Sequence, residues 1–209
     1  MKEKRNIFVA ATGNRHKMAE MTAVMEPFGI DLISKAEAGA AGAEPEETGA
    51  TFEENAYIKA KAVLERVGRP VIADDSGLAA DALNGAPGVR SARFSETGSD
   101  ADNNAKLLEL MEAVPDGART AKFVSVVTLL YPDGHALVAR GECAGRLLRN
   151  GKGENGFGYD PLFVPAEYDA EERTFAQLSP GEKNAVSHRA RALAALREQL
   201  AAEKDDGKE

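Results

Sequence analysis

The chain has 209 residues, enough for one domain or two intimate lobes around a substantial core. Hydrophobic residues at 43% and charged ones at 29% fit a soluble globular protein, and a net charge of −8 argues against a general nucleic-acid binder. One cysteine, Cys143, excludes an intramolecular disulfide and any multi-cysteine metal site.

The chain opens on charge (Lys2, Glu3, Lys4, Arg5), and only a brief apolar run, Ile7 to Ala11, follows. That run is too short for a signal-peptide core or a membrane span, so a cytoplasmic location with no membrane contact is expected. Its first five residues read as a buried strand. After it come Thr12-Gly13-Asn14-Arg15-His16-Lys17 and a helix in which Met18, Met21, Met25 and Phe28 recur at helical spacing, with Gly29 placed to stop it. The Met stripe is read as core. A glycine-containing turn at a helix start presents free N–H groups and a positive dipole end, which suits phosphate, and Lys17 adds a cation there.

Ile30 to Ile33 predicts a second strand, followed by a loop in which Glu44, Glu46 and Glu47 crowd ahead of Thr48 and Gly49. Thr51 with Glu54 is a capping box, so a helix starts there, runs through Ala56, Ala60, Val63 and Leu64, and stops at Gly68. Lys59 lies on it.

The stretch Pro70-Val71-Ile72-Ala73-Asp74-Asp75-Ser76-Gly77-Leu78 organises the rest. A short apolar run behind a turn reads as a buried strand that delivers two carboxylates, a hydroxyl and a glycine. Side chains on a strand alternate, so Asp74 and Asp75 point to opposite faces. One can serve a ligand while the other braces the backbone behind it. Strand ends in α/β folds are where ligands and magnesium-binding carboxylates often sit.

Asn84-Gly85 and Ala86-Pro87-Gly88 are turn chemistry, and Val89 to Phe94 is read as a return to the sheet. Ser99 caps a helix whose apolar face is Leu107, Leu108, Met111 and Val114. Phe123 to Tyr131 and Ala136 to Cys143 form a hairpin across Pro132-Asp133-Gly134. Asn150 to Gly158 is dense in glycine and opens onto Phe157-Gly158-Tyr159-Asp160-Pro161, then a strand from Leu162 to Val164. Ser179-Pro180-Gly181-Glu182 starts a helix. Lys183 in its first turn opposes the helix dipole, which suggests that it answers an anion. Ser187 caps a further segment with Leu193, Leu196 and Leu200 on its buried face, and Glu203 to Glu209 reads as a charged, disordered tail behind a single domain of residues 1–202.

Together these pieces describe a nucleoside triphosphate site. Phosphate needs N–H donors and cations: Thr12 to Lys17, Lys59, Lys183 and Arg189. Magnesium needs hard carboxylates, Asp75 with Glu46 or Glu47. A purine needs a stacking ring and directed polar groups, Phe157, Asp160 and His188.

From Ala11 to about Leu196 the sequence also resembles the inosine triphosphate pyrophosphatase family, the XTP/dITP diphosphatases. The resemblance rests on Thr12-Gly13-Asn14 with Lys17 and Glu20, Glu46-Glu47-Thr48-Gly49 with Phe52, Glu54 and Asn55, and Ala73-Asp74-Asp75-Ser76-Gly77-Leu78. It continues through Gly85-Ala86-Pro87-Gly88, Phe157-Gly158-Tyr159-Asp160-Pro161, and Lys183 with Ser187-His188-Arg189. The resemblance implies an α/β fold: an elongated mixed β-sheet flanked by helices, with two lobes around a central cleft, paired as a homodimer. It implies hydrolysis of ITP, dITP and XTP between the α and β phosphates, with Mg2+, to a nucleoside monophosphate and pyrophosphate. By the same resemblance, Asp75 is the proton acceptor and a metal ligand, and Glu46 is the second metal-associated carboxylate. Thr12, Gly13, Asn14, Arg15, His16, Lys17, Lys59, Ser76 and Lys183 would hold the triphosphate. Phe157, Gly158, Tyr159, Asp160, His188 and Arg189 would recognise the base. His16 takes a place often held by a small residue.

Overall fold

A computed structural model of the chain describes residues 6–206, the side chains at positions 16 and 204–206 excepted. Among the described residues, the alternation of short apolar runs with amphipathic segments builds six strands and five α-helices: β1 Asn6–Ala10, α1 Arg15–Met25, β2 Ile30–Ser34, α2 Phe52–Val67, β3 Val71–Ala80, α3 Asp100–Leu110, β4 Thr120–Leu130, β5 Ala136–Leu147, β6 Phe163–Pro165, α4 Pro180–Val186 and α5 His188–Asp206. The sheet is mixed, in the order β2-β1-β3-β4-β5-β6. Strand β1 runs parallel to both β2 and β3, as strands joined through a helix do, and β5 pairs with β6 antiparallel.

The chain forms two compact units, and neither is one continuous segment: Met1–Asp75, Val126–Gly141 and Ala192–Glu209 make the first, Ser76–Ser125 and Glu142–Arg191 the second. In the first unit one apolar cluster joins Phe8, Met21, Met25 and Ile72 to Val127, Leu129 and the Leu193, Leu196 and Leu200 face of α5. A second cluster packs Val9, Val71 and Ala73 against Ala60 and Val63 of α2. The Met stripe of α1 is thus core, as its spacing predicts. The second unit has its own cluster, in which Leu107 and Met111 of α3 meet Phe123, Leu147, Tyr159, Phe163 and Phe175.

Local signals set the helix ends. Thr51 Oγ1 accepts the Glu54 N–H while Glu54 accepts the Thr51 N–H, and Gly68 closes α2 in the left-handed region. Ser179 and Glu182 make the same box at α4, and Ser187 Oγ accepts the Ala190 N–H at the start of α5. In two places the fold departs from the expectation. Gly88–Arg93 is a 3-10 turn instead of a strand: Ser91 Oγ accepts the Leu78 N–H at 2.9 Å and donates to the Gly88 carbonyl at 2.7 Å, and such side-chain bonds replace a ladder. The charged end was expected to be a disordered tail from Glu203. Instead α5 continues to Asp206, and His135 Nε2 bonds Glu203 Oε1 at 2.5 Å. Residues 207–209 lie outside the described residues.

Candidate active site

In the first unit, β3 delivers both aspartates into the interior: Asp74 is 3% exposed and Asp75 5%. They face different partners, as strand alternation requires. Asp74 Oδ2 pairs with Lys17 Nζ from α1 at 2.5 Å. Asp75 Oδ1 pairs with Lys59 Nζ from α2 at 2.6 Å, and Lys59 reaches Glu47 Oε1 at 2.8 Å as well. The other oxygen of Asp75, Oδ2, is buried and has no hydrogen-bond partner among the described residues. A buried carboxylate oxygen without a partner is costly unless something occupies it in the working state.

Burial pushes the Asp75 carboxyl above its ordinary range; the Lys59 ammonium pulls it back only in part, and the Glu47 charge adds to the rise. For Lys59 burial lowers the pKa, yet Asp75 and Glu47 together outweigh it and hold the ammonium above its usual value. One cation is therefore shared between two carboxylates.

The turn before α1 is fastened by its own side chains. Thr12 Oγ1 accepts the Asn14 N–H at 3.1 Å and Asn14 Oδ1 accepts the Lys17 N–H at 3.2 Å. Gly13 and Arg15 are exposed, and a Cβ on Gly13 would meet no atom within 4 Å. Among the described residues, the Cβ side of Gly13 therefore faces open space. The side chain of His16 lies outside the described residues.

Glu47, the alternative to Glu46, is the glutamate beside Asp75. Glu46 is exposed and its carbonyl accepts the Thr48 N–H. The register of this loop is held from α2, where the fully buried Asn55 accepts the Gly49 N–H at 2.8 Å through Oδ1. A Cβ at Gly49 would fall 2.6 Å from Asn55 Oδ1 and 2.7 Å from Glu54 Cβ. Gly49→Ala is therefore expected to cost about 1–3 kcal/mol by overpacking. Chemical denaturation measures this, and an unchanged midpoint would show that the loop is free to shift.

The second unit holds the remaining predicted residues. Asp160, 2% exposed, accepts from Lys183 Nζ at 2.6 Å and from the Phe157 N–H at 2.9 Å, both through Oδ2. Lys183 lies 4.9 Å from the Phe157 ring centroid and 5.3 Å from that of Phe175. The anion that Lys183 answers within the protein is thus Asp160. Arg189 is buried and Nη2 donates to Ser76 Oγ at 3.2 Å. His188 stacks on Phe123, ring centroids 4.8 Å apart at 13°. Of the loop's two rings Phe157 is 38% exposed, whereas Tyr159 is buried with its hydroxyl donating to the Ser91 carbonyl at 2.9 Å. The Tyr159 ring is therefore core, leaving Phe157 as the aromatic face open to a ligand.

The model of the Ham1 family matches residues 8–199, nearly the whole chain. This chain belongs to the Ham1 family. Among its relatives, the dITP/XTP pyrophosphatase of Haemophilus ducreyi is 49% identical over 199 residues, 94% of this chain and 99% of that one. The HAM1 protein of Coxiella burnetii superposes with a TM-score of 0.85 at 40% identity, covering 94% of this chain and 99% of the other. The nucleoside-triphosphatase / dITP/XTP pyrophosphatase of Mycobacterium abscessus gives 0.76 at 47% identity, covering 91% and 97%. The resemblance read from the motifs and the mixed sheet with flanking helices both agree with this membership.

Two features of this Ham1 chain bear on a metal. Among the described residues no group of three or more His, Cys, Asp or Glu side chains is placed to hold an ion by itself. Magnesium, however, is usually bound by one or two carboxylates plus the phosphates of the substrate. The open Oδ2 of Asp75, with Glu47 beside it, fits that donor set. Among the described residues no helix is long and apolar enough to cross a membrane.

Proposed function

We propose that this chain hydrolyses deaminated purine nucleoside triphosphates (ITP, dITP and XTP) to the nucleoside monophosphate and pyrophosphate, clearing them from the nucleotide pool. The observation that carries the chemistry is Asp75, a buried carboxylate with one oxygen fixed by Lys59 and the other unbonded. The activity for which its dITP/XTP pyrophosphatase relatives are named, at about half identity to this chain, supports the substrate class.

In this reading Thr12 to Lys17, Ser76, Lys59 and Lys183 bind the triphosphate. Asp75 orients the attacking water and takes its proton at Oδ2. Lys59 favours the ionised form of Asp75 and offsets part of the desolvation that favours the protonated one. Asp75 and Glu47 would hold Mg2+, which when bound neutralises phosphate charge and lowers the pKa of water. Phe157 offers its exposed face to the base, and the Gly158, Tyr159 and Asp160 turn, with His188 and Arg189, orients it. Two of the residues assigned to the base, His188 and Arg189, are donors, which suits the C6 oxo acceptor of hypoxanthine and xanthine. We further propose that the protein is cytoplasmic and works as a homodimer, as the family resemblance implies.

Product analysis across a panel of nucleoside triphosphates with Mg2+ tests this. If Lys17, Lys183 and the Gly13 turn grip the distal phosphates, water attacks the α phosphorus and pyrophosphate leaves. Orthophosphate as the primary product, with no added pyrophosphatase, would overturn the assignment.

A further inference from the structure

The first turn of α3 grips both backbone polar groups of a single residue, Gly158. Asp100 Oδ2 accepts its N–H at 2.7 Å, and Asn104 Nδ2 donates to its carbonyl at 2.8 Å. Residues four apart on a helix share one face, so the two side chains act as one clamp. The Asn104 amide also donates to the Asp100 carbonyl at 2.8 Å, which fixes its orientation. That orientation leaves Asn104 Oδ1 buried without a hydrogen-bond partner among the described residues. Stability alone would not choose a half-buried amide with an orphaned acceptor here, because an apolar residue at this helix position avoids the desolvation cost.

The clamped residue is next to the one exposed ring of the loop. Phe157 lies between Gly156 and Gly158, both at positive φ (82° and 60°), conformations that leave the segment few side-chain anchors of its own. One peptide beside Phe157 is tied by its N–H to Asp160, and the Gly158 N–H, in the peptide on the other side, is held by Asp100. We propose that Asp100 and Asn104 are positioning residues for base recognition: by holding the Gly158 peptide they set the height and tilt at which Phe157 meets a purine ring. The inference rests on the reading that Phe157 to Asp160 bind the base. Neither residue touches reacting atoms, so the effect belongs in KM and in base preference, and kcat stays near its original value.

Steady-state kinetics on ITP and ATP with Asn104→Ala, Asp100→Ala and Asp100→Asn test it, alongside hydrogen exchange of the peptide containing residues 156–160. Asn104→Ala and Asp100→Ala are expected to raise the KM for ITP about tenfold, with kcat within about twofold, and to narrow the ITP-to-ATP preference. The 156–160 segment should exchange faster while β4 does not. Asp100→Asn keeps an acceptor for the Gly158 N–H and should restore both KM and preference. Two results overturn the inference: faster exchange with unchanged KM and preference, or unchanged exchange in both alanine variants. A uniform fall in kcat on ITP and ATP that Asp100→Asn does not rescue also overturns it, since that is the mark of a merely structural role. If the wild-type protein does not turn over ITP, the parent reading fails and this inference with it; wild-type turnover itself tells that case from failure of the clamp.

Discussion

Asp75→Asn is expected to fold as the parent does and to lose on the order of 10²–10³ in kcat, as removal of one electrostatic contributor to a transition state does. The amide has nearly the volume of the carboxyl, and its Oδ1 still accepts from Lys59, whose ammonium lies 2.6 Å from Asp75 Oδ1. The second position changes completely. Where Asp75 presents a buried oxygen without a partner, asparagine presents an NH2 group that can neither take a proton nor ligate a cation. Fold and chemistry are therefore separable at this residue. Asp74→Asn should show the opposite balance, with a smaller kinetic loss and a larger loss of stability. It leaves Lys17, whose partner was 2.5 Å away, facing an uncharged group in a mostly buried position. Melting curves beside single-turnover rates on ITP check both variants. A larger kinetic loss in Asp74→Asn would move the proton acceptor to that residue.

The second large effect is on stability. Lys183→Met should cost about 3 kcal/mol, the usual consequence of removing one partner of a buried ion pair. Asp160 is then left 2% exposed, with the Phe157 N–H on its Oδ2 and the Arg189 charge to support it. Even with Lys183 in place burial holds the Asp160 carboxyl above its ordinary range, and the lysine and the Phe157 N–H only moderate this. The sign with pH follows. An acid whose folded pKa is raised above its unfolded value penalises the folded state while ionised, and the penalty disappears as pH falls and the folded form takes up a proton. Removing Lys183 removes a lowering influence, so the rise grows. The stability gap between variant and parent should be widest at neutral pH and shrink toward the carboxylate range. Adding Asp160→Asn to Lys183→Met should recover most of the loss at neutral pH. A gap that widens on acidification would show that the ammonium's contacts over the Phe157 and Phe175 rings matter more than its pairing with Asp160.

What could be read from the sequence is what is decided within a few residues. The Thr51–Glu54 and Ser179–Glu182 boxes, the Gly68 stop and the Met21–Met25 stripe need no knowledge of distant chain. The conflict of Lys183 with its helix dipole correctly announced an anion, but not that Asp160, 23 positions away, supplies it. Spacing left Glu46 and Glu47 equal; in the fold Glu47 pairs with Lys59 while Glu46 is exposed, in a loop whose Gly49 N–H is held by Asn55. The stretch after Pro87 read as a strand since its turn is held by Ser91 through Leu78, a partner that sequence proximity does not reveal. For the same reason the sequence did not show that the Tyr159 hydroxyl is committed to Ser91 in the core. The Asp100 and Asn104 clamp gave no signal, because Asp and Asn at the start of a helix are ordinary capping chemistry.

Each of the three lysines held by a buried aspartate, Lys17, Lys59 and Lys183, is already neutralised within the protein. Binding at such positions is an exchange of counter-ions. An incoming anion gains a lysine only by stripping a carboxylate of its partner inside a poorly solvated interior. A bare polyanion, whether orthophosphate or a nucleic-acid backbone, brings nothing to give that carboxylate in return, so it meets little uncompensated positive potential. In the proposed reading the ligand is a metal chelate, which carries negative oxygens for a lysine and a cation for its acid. On that reading self-neutralisation in the resting state selects for ligands that arrive with their own counter-charge.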